Sequence, residues 1–144
     1  MTAGAAGAGA LTLIHQVARS MTQNAPRMDV LGMRAVREGH RRLGAAVPSD
    51  ENAERQALAG DVVANAAYYS LVGAGERGGV WSRGLALGLL AGLGAVLLPR
   101  HVGLGDPPNA HRLDTQLMTV AWYVAGGLVA AAAFDRLGAD RSAA

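Results

Sequence analysis

The strongest constraint on this chain is a set of four long stretches almost free of charge. Residues 2–18 carry none before Arg19, and residues 56–75 carry only Asp61 between Arg55 and Glu76. Residues 84–99 run uncharged from Arg83 to Arg100, and residues 115–134 from Asp114 to Asp135. Twenty helical residues span about 30 Å, the thickness of a bilayer core. The second and fourth stretches reach that length, and the third does so if Arg83 and Arg100 extend their stems outward. The first is the weakest, because its leading half is Ala and Gly and its far end holds His15, Gln16 and Arg19.

A soluble bundle is the competing explanation. A domain of 144 residues would have to bury three or four such segments with few amphipathic helices to cover them, which fails on area. The apolar content is mostly Ala, Leu, Val and Gly, with 20 Gly and a single Phe, so it favours closely packed helices over strands. The expected fold is therefore an all-α integral membrane bundle of four transmembrane helices. Between the first two spans, residues 29–44 read as a short amphipathic helix that Asp29 caps and Gly44 closes. One face of it carries Leu31, Ala35, Val36 and Leu43; the other presents Arg34, Arg37 and Arg41, with Arg42 beside them, toward lipid headgroups.

All 13 basic residues are arginine. The connection over residues 19–55 holds seven of them, and Arg100 and Arg112 lie in the connection between the third and fourth spans. Only Arg77, Arg83, Arg136 and Arg141 fall on the other side, so residues 19–55 are expected in the cytoplasm and the chain in a plasma (inner) membrane.

Inside the second span, Asp61, Asn65 and Tyr68 follow at i, i+4 and i+7 on one helical face, with Tyr69 beside them. Lipid satisfies none of these groups, so they face other helices, water or a ligand. Trp122 and Tyr123 sit equally deep in the fourth span. The expectation is a small amphipathic cavity between the second and fourth spans, in which the aromatic polar tips meet Asp61 and Asn65. His15 is an interfacial residue unless Asp61 or Asp29 lies near it, in which case it joins the site.

Gly84, Gly88 and Gly92 recur every four residues and form a ridge for close helix approach, within the bundle or between copies of the chain. There is no cysteine, no GxSxG, HExxH or P-loop motif, and no His/Asp spacing that enforces a metal site. No cofactor is implied. The Arg-rich segment lacks stacking aromatics, which argues against nucleic acid. Two functions remain: an intramembrane polar site that binds or conducts a small ligand, ion or proton, and a non-catalytic structural or assembly protein whose Arg-rich segment touches lipid or a partner.

Overall fold

The computed structural model describes residues 1–142, and their side chains except those of Arg77 and 138–142. Five helices follow in order: α1 (Thr2–Met21), α2 (Met28–Arg42), α3 (Asp50–Ser70), α4 (Val80–His101) and α5 (Leu113–Ser142). Two 3-10 turns, Leu71–Gly73 and Arg77–Gly79, join α3 to α4, and no strand forms among the described residues.

Local chemistry sets the helix ends. The Ser49 hydroxyl accepts from the Asn52 amide at 3.5 Å, and Asp50 and Glu51 occupy the positive end of α3. Helix α2 finishes on His40, Arg41 and Arg42 beside its last carbonyls, and Gly44 turns the chain at φ +66°. Asp29 does not cap α2. It lies in the first turn behind Arg27, whose Nε and Nη2 clasp the carboxylate at 2.9 and 2.8 Å.

Small residues decide how the long helices meet. A Cβ added to Gly84 would come within 2.6 Å of the Gly127 carbonyl, and one on Gly88 within 2.5 Å of Val124 Cα. One on Gly92 would reach Val120 Cα at 2.7 Å, so the ridge of α4 is spent on the backbone of α5. The opposite face of α5 receives α1, where Gly7 stands against the Gly126 carbonyl and Ala130. Gly4 of α1 in turn admits the α3 backbone at Ala66 and Ser70. The Ala/Gly half of α1, poor in hydropathy, is thus its buried half: Ala3, Gly4, Gly7, Ala8 and Leu11.

The spatial order is α4, α5, α1, α3, with antiparallel neighbours and α2 laid on α3. Helix α3 barely touches α4 along its length. At its far end Tyr68 bridges to α4 by donating to the Leu87 carbonyl at 3.0 Å, and Tyr69, fully buried, ties α3 to α5 by donating to the Tyr123 carbonyl at 2.7 Å.

Among the described residues, two helices are long and apolar enough to cross a membrane, Val80–His101 and Leu113–Leu137. Helices α1 and α3 have the length but not the apolar content. Neither qualifying helix is a buried core helix, since only 22% and 33% of their most apolar stretches lie inside the chain. Helix α4 turns Trp81, Leu85, Leu89, Leu90, Leu93 and Leu97 outward, with Leu90 65% exposed.

The glycine contacts yield a paired expectation. Gly88→Leu lowers unfolding stability by about 3 kcal/mol or more, because the α4–α5 backbones must separate. Gly60→Ala, where nothing lies within 4 Å, is neutral or slightly stabilising. Equilibrium unfolding of the two variants in detergent micelles checks both; equal losses would contradict the packing described.

Candidate functional site

Because α3 meets α4 mainly at the tyrosine end, the helices diverge toward α2 and leave a half-open cavity of about 300 Å³. Its walls follow helical periodicity. Helix α1 contributes Thr12, His15, Gln16 and Arg19, and α3 contributes Glu54, Ala57, Leu58 and Asp61, each set spaced i, i+3, i+4, i+7. Helix α2 roofs the cavity with Met28, Leu31 and Ala35, and its Gly32 brings the roof down onto the Ala57 methyl. Ala95 and Pro99 of α4 complete the wall, with Tyr123 of α5 and Leu104 of the following loop. Pro99 has no N–H, so the Ala95 carbonyl has no i+4 helical donor.

The roof is fastened by arginines. Arg34 Nη1 donates to the carbonyls of Leu104 and Asp106, both at 2.9 Å, and so ties α2 to the α4–α5 loop. Arg37 pairs with Asp50 at the start of α3, while Arg41 and Arg42 share Glu38 at 3.2 and 2.9 Å. All four arginines expected at lipid headgroups are engaged by partners within the chain. The turn before α2 is held as well: Thr115 Oγ1 donates to the Asn24 carbonyl and Asn24 Nδ2 to Asp114, each at 3.0 Å.

Of the residues expected to form the site, Asp61 and His15 face the same cavity, and Asp29 lines it too. Asn65 stands behind Asp61 and donates to its carboxylate and to its carbonyl, both at 2.9 Å. Trp122 sets its ring edge against His15, with centroids 5.0 Å apart.

Tyr68 and Tyr69 do not meet Asp61 or Asn65. Seven residues of helix separate Asp61 from Tyr68, a rise of about 10 Å, so the hydroxyls reach across to the neighbouring helices instead. The cavity accordingly lies between α1, α2, α3 and α4 with Tyr123 contributed by α5, not simply between α3 and α5.

Sequence reasoning missed Thr12, Gln16 and Glu54. The first two share the His15–Arg19 face of α1, where the sequence reading sees His15, Gln16 and Arg19 only as the polar far end of the weakest span.

Two polar atoms near this wall, Thr12 Oγ1 and His15 Nε2, are packed away from the open space of the pocket and lack any hydrogen-bond partner among the described residues. Charge is also unbalanced. Asp29 is held by Arg27 at 2.8 Å and Arg19 at 3.6 Å, whereas neither Asp61 nor Glu54 is ion-paired among the described residues.

Elsewhere His101 Nδ1 lies 2.7 Å from the Leu97 carbonyl, and His111 stands 3.4 Å from Asp106. No group of three metal-ligating side chains assembles among the described residues.

Asp29 sets an acid limit on the roof. Partial burial opposes its ionisation, but the Arg27 hydrogen bonds and the Arg19 and Arg27 charges prevail and hold its carboxyl below the ordinary value. A carboxylate whose folded pKa is depressed stabilises the fold fully above its unfolded pKa and loses that contribution as pH falls through the folded one. Stability is therefore level from neutral pH to about pH 4 on Asp29's account and falls below it. Asp29→Asn lowers stability at pH 7 by about 1 kcal/mol and flattens that acid limb. Unfolding midpoints of both proteins between pH 3 and 7 measure the effect, and identical profiles would contradict it.

Comparison with protein-family models, with curated proteins and with solved structures finds no match to this chain.

Proposed function

We propose that this is a small polytopic membrane protein of four spans whose cavity binds or passes a small ligand, ion or proton. The observation that carries the reading is Asp61, a carboxylate with no ion-pair partner among the described residues, on the wall of a half-open and largely apolar pocket of about 300 Å³. Asn65 satisfies one of its oxygens and leaves further acceptor capacity to whatever enters the pocket.

The membrane setting rests on what the helices show to the outside. An outward row of leucines on α4 is joined by Val62 and Val63 on α3, Leu13 and Val17 on α1, and Leu117 and Val129 on α5. Soluble monomers rarely present contiguous apolar surface on that scale. In a bilayer the modest hydropathy of α1 and α3 is tolerable, since their polar residues turn to the cavity and their Ala and Gly residues to neighbouring helices. The arginine distribution favours residues 19–55, and with them the cavity's α2 end, on the cytoplasmic side of a plasma membrane. A purely structural role resting on Arg34, Arg37, Arg41 and Arg42 has less support, because each has a partner inside the chain.

The chain contains no cysteine, so single cysteines give a clean test. In inside-out membrane vesicles, a membrane-impermeant maleimide labels Asp61→Cys and Leu58→Cys from the cytoplasmic face and leaves Leu89→Cys unlabelled. A folded protein in which Asp61→Cys resists labelling would remove the hydrated cavity, and labelling of Leu89→Cys would remove the bilayer around α4.

A further inference from the structure

We infer that Tyr123 is the second polar contact of this cavity, and that with Asp61 it forms a site for an uncharged guest whose hydroxyl or amide group accepts on one side and donates on the other. The inference rests on the cavity reading above and deepens it to two named residues and one ligand chemistry.

Among the described residues of α5, Tyr123 alone lines the cavity. Its backbone is committed elsewhere, since its carbonyl accepts from the Tyr69 hydroxyl at 2.7 Å and its Cβ stands close to Gly92 of α4. The side chain is therefore the part that reaches the wall, beside the His15 ring at a centroid distance of 6.1 Å. Only 8% of the residue is exposed. No hydrogen bond joins its hydroxyl to another residue among those described, yet its oxygen is not one of the sealed, partnerless atoms, which are Thr12 Oγ1 and His15 Nε2. What exposure Tyr123 keeps thus includes its hydroxyl, at the wall of a half-open pocket and within electrostatic range of the Asp61 carboxylate.

The other two tyrosines supply the contrast. Tyr68 and Tyr69 each end on a backbone carbonyl, as phenols held in an interior ordinarily do. Tyr123 is as deeply placed and faces open space instead.

The two groups ask for complementary things. An ionised Asp61 offers acceptors only, and Asn65 takes up one of them. Tyr123 has to place its own proton, and it is not bonded to Asp61, so it acts toward a guest as a donor. A hydroxyl or a primary amide meets both needs with one group. An ether or a carboxylate brings no donor for Asp61, and an ammonium brings no acceptor for Tyr123. Leu31, Ala35, Ala57, Leu58 and Ala95 make much of the remaining wall apolar, so the polar group can ride on an apolar body.

The probe is 2-phenylethanol, with its methyl ether and phenethylamine as analogues. The full chain in lipid nanodiscs carries Trp81→Phe, which leaves Trp122 as the single tryptophan, next to Tyr123 and against His15. The alcohol is expected to give a saturable change in Trp122 emission. Tyr123→Phe and Asp61→Val each weaken its binding by roughly tenfold or more. The ether, which accepts without donating, and the ammonium form of the amine, which donates without accepting, each bind roughly tenfold more weakly than the alcohol.

Binding of the ether or the amine as tight as that of the alcohol would overturn the assignment, as would an unaltered affinity in a folded Tyr123→Phe protein. If a variant does not fold, the two analogues decide the matter in the same way. Absence of saturable binding by the alcohol overturns the assignment too. Labelling of Asp61→Cys then separates the two claims: a labelled protein leaves the cavity reading standing, and an unlabelled one takes it down as well.

Discussion

Backbone-to-backbone contact at α5 is the interaction on which the rest of this structure depends. In the proposed bilayer setting helices gain little from the hydrophobic effect, so close van der Waals approach has to supply the attraction. Helix α5 provides it on two sides. One side takes the Gly84, Gly88 and Gly92 ridge of α4, and the other takes Gly7 of α1 against Gly126 and Ala130. With α5 clasped between α4 and α1, α3 attaches mainly to the outer side of α1, where Gly4 admits its backbone. It meets α4 and α5 through the hydroxyls of Tyr68 and Tyr69 at one end.

The cavity is a consequence of that asymmetry. Four helices with equal seams on every side would close on a packed core. Here the α3–α4 side has a tie at the tyrosine end and none at the other, so the space between Asp61, Thr12 and Pro99 stays open. Helix α2 covers it. The Arg34 bridge to the Leu104 and Asp106 carbonyls and the Arg27–Asp29 clasp make that cover a fixed part of the fold. The polar residues thus have a common explanation: some fasten the roof, the tyrosines fasten the far end, and those on the inner faces of α1 and α3 meet the cavity.

Much of the fold was legible in the sequence, for identifiable reasons. Charge-free runs marked the long helices because charges end apolar segments, although α4 runs through Arg83 and Arg100 to 22 residues where 16 had been counted. The Gly84–Gly88–Gly92 spacing announced close approach, but the identity of the facing helix depends on tertiary geometry. The Asp61–Asn65 pairing follows from an i, i+4 spacing. The seam on α1 was undervalued because hydropathy credits large side chains, whereas Ala3, Gly4, Gly7 and Ala8 bind by being small. The tyrosine hydroxyls and Arg34 end on backbone carbonyls, which no side-chain pattern reveals. Thr12 and Gln16 were hidden because a short polar patch near a helix end looks the same whether it faces water or a cavity.

Lipid outside and water or ligand within is the central claim, and an experimental map of the protein in lipid nanodiscs tests it most directly. The account predicts acyl-chain density along Leu85, Leu89 and Leu93, with ordered water or a bound molecule beside Asp61. A map in which α3 closes onto α4 over a dry, fully paired interface at Asp61 would contradict it, and these polar residues would then serve only to join helices.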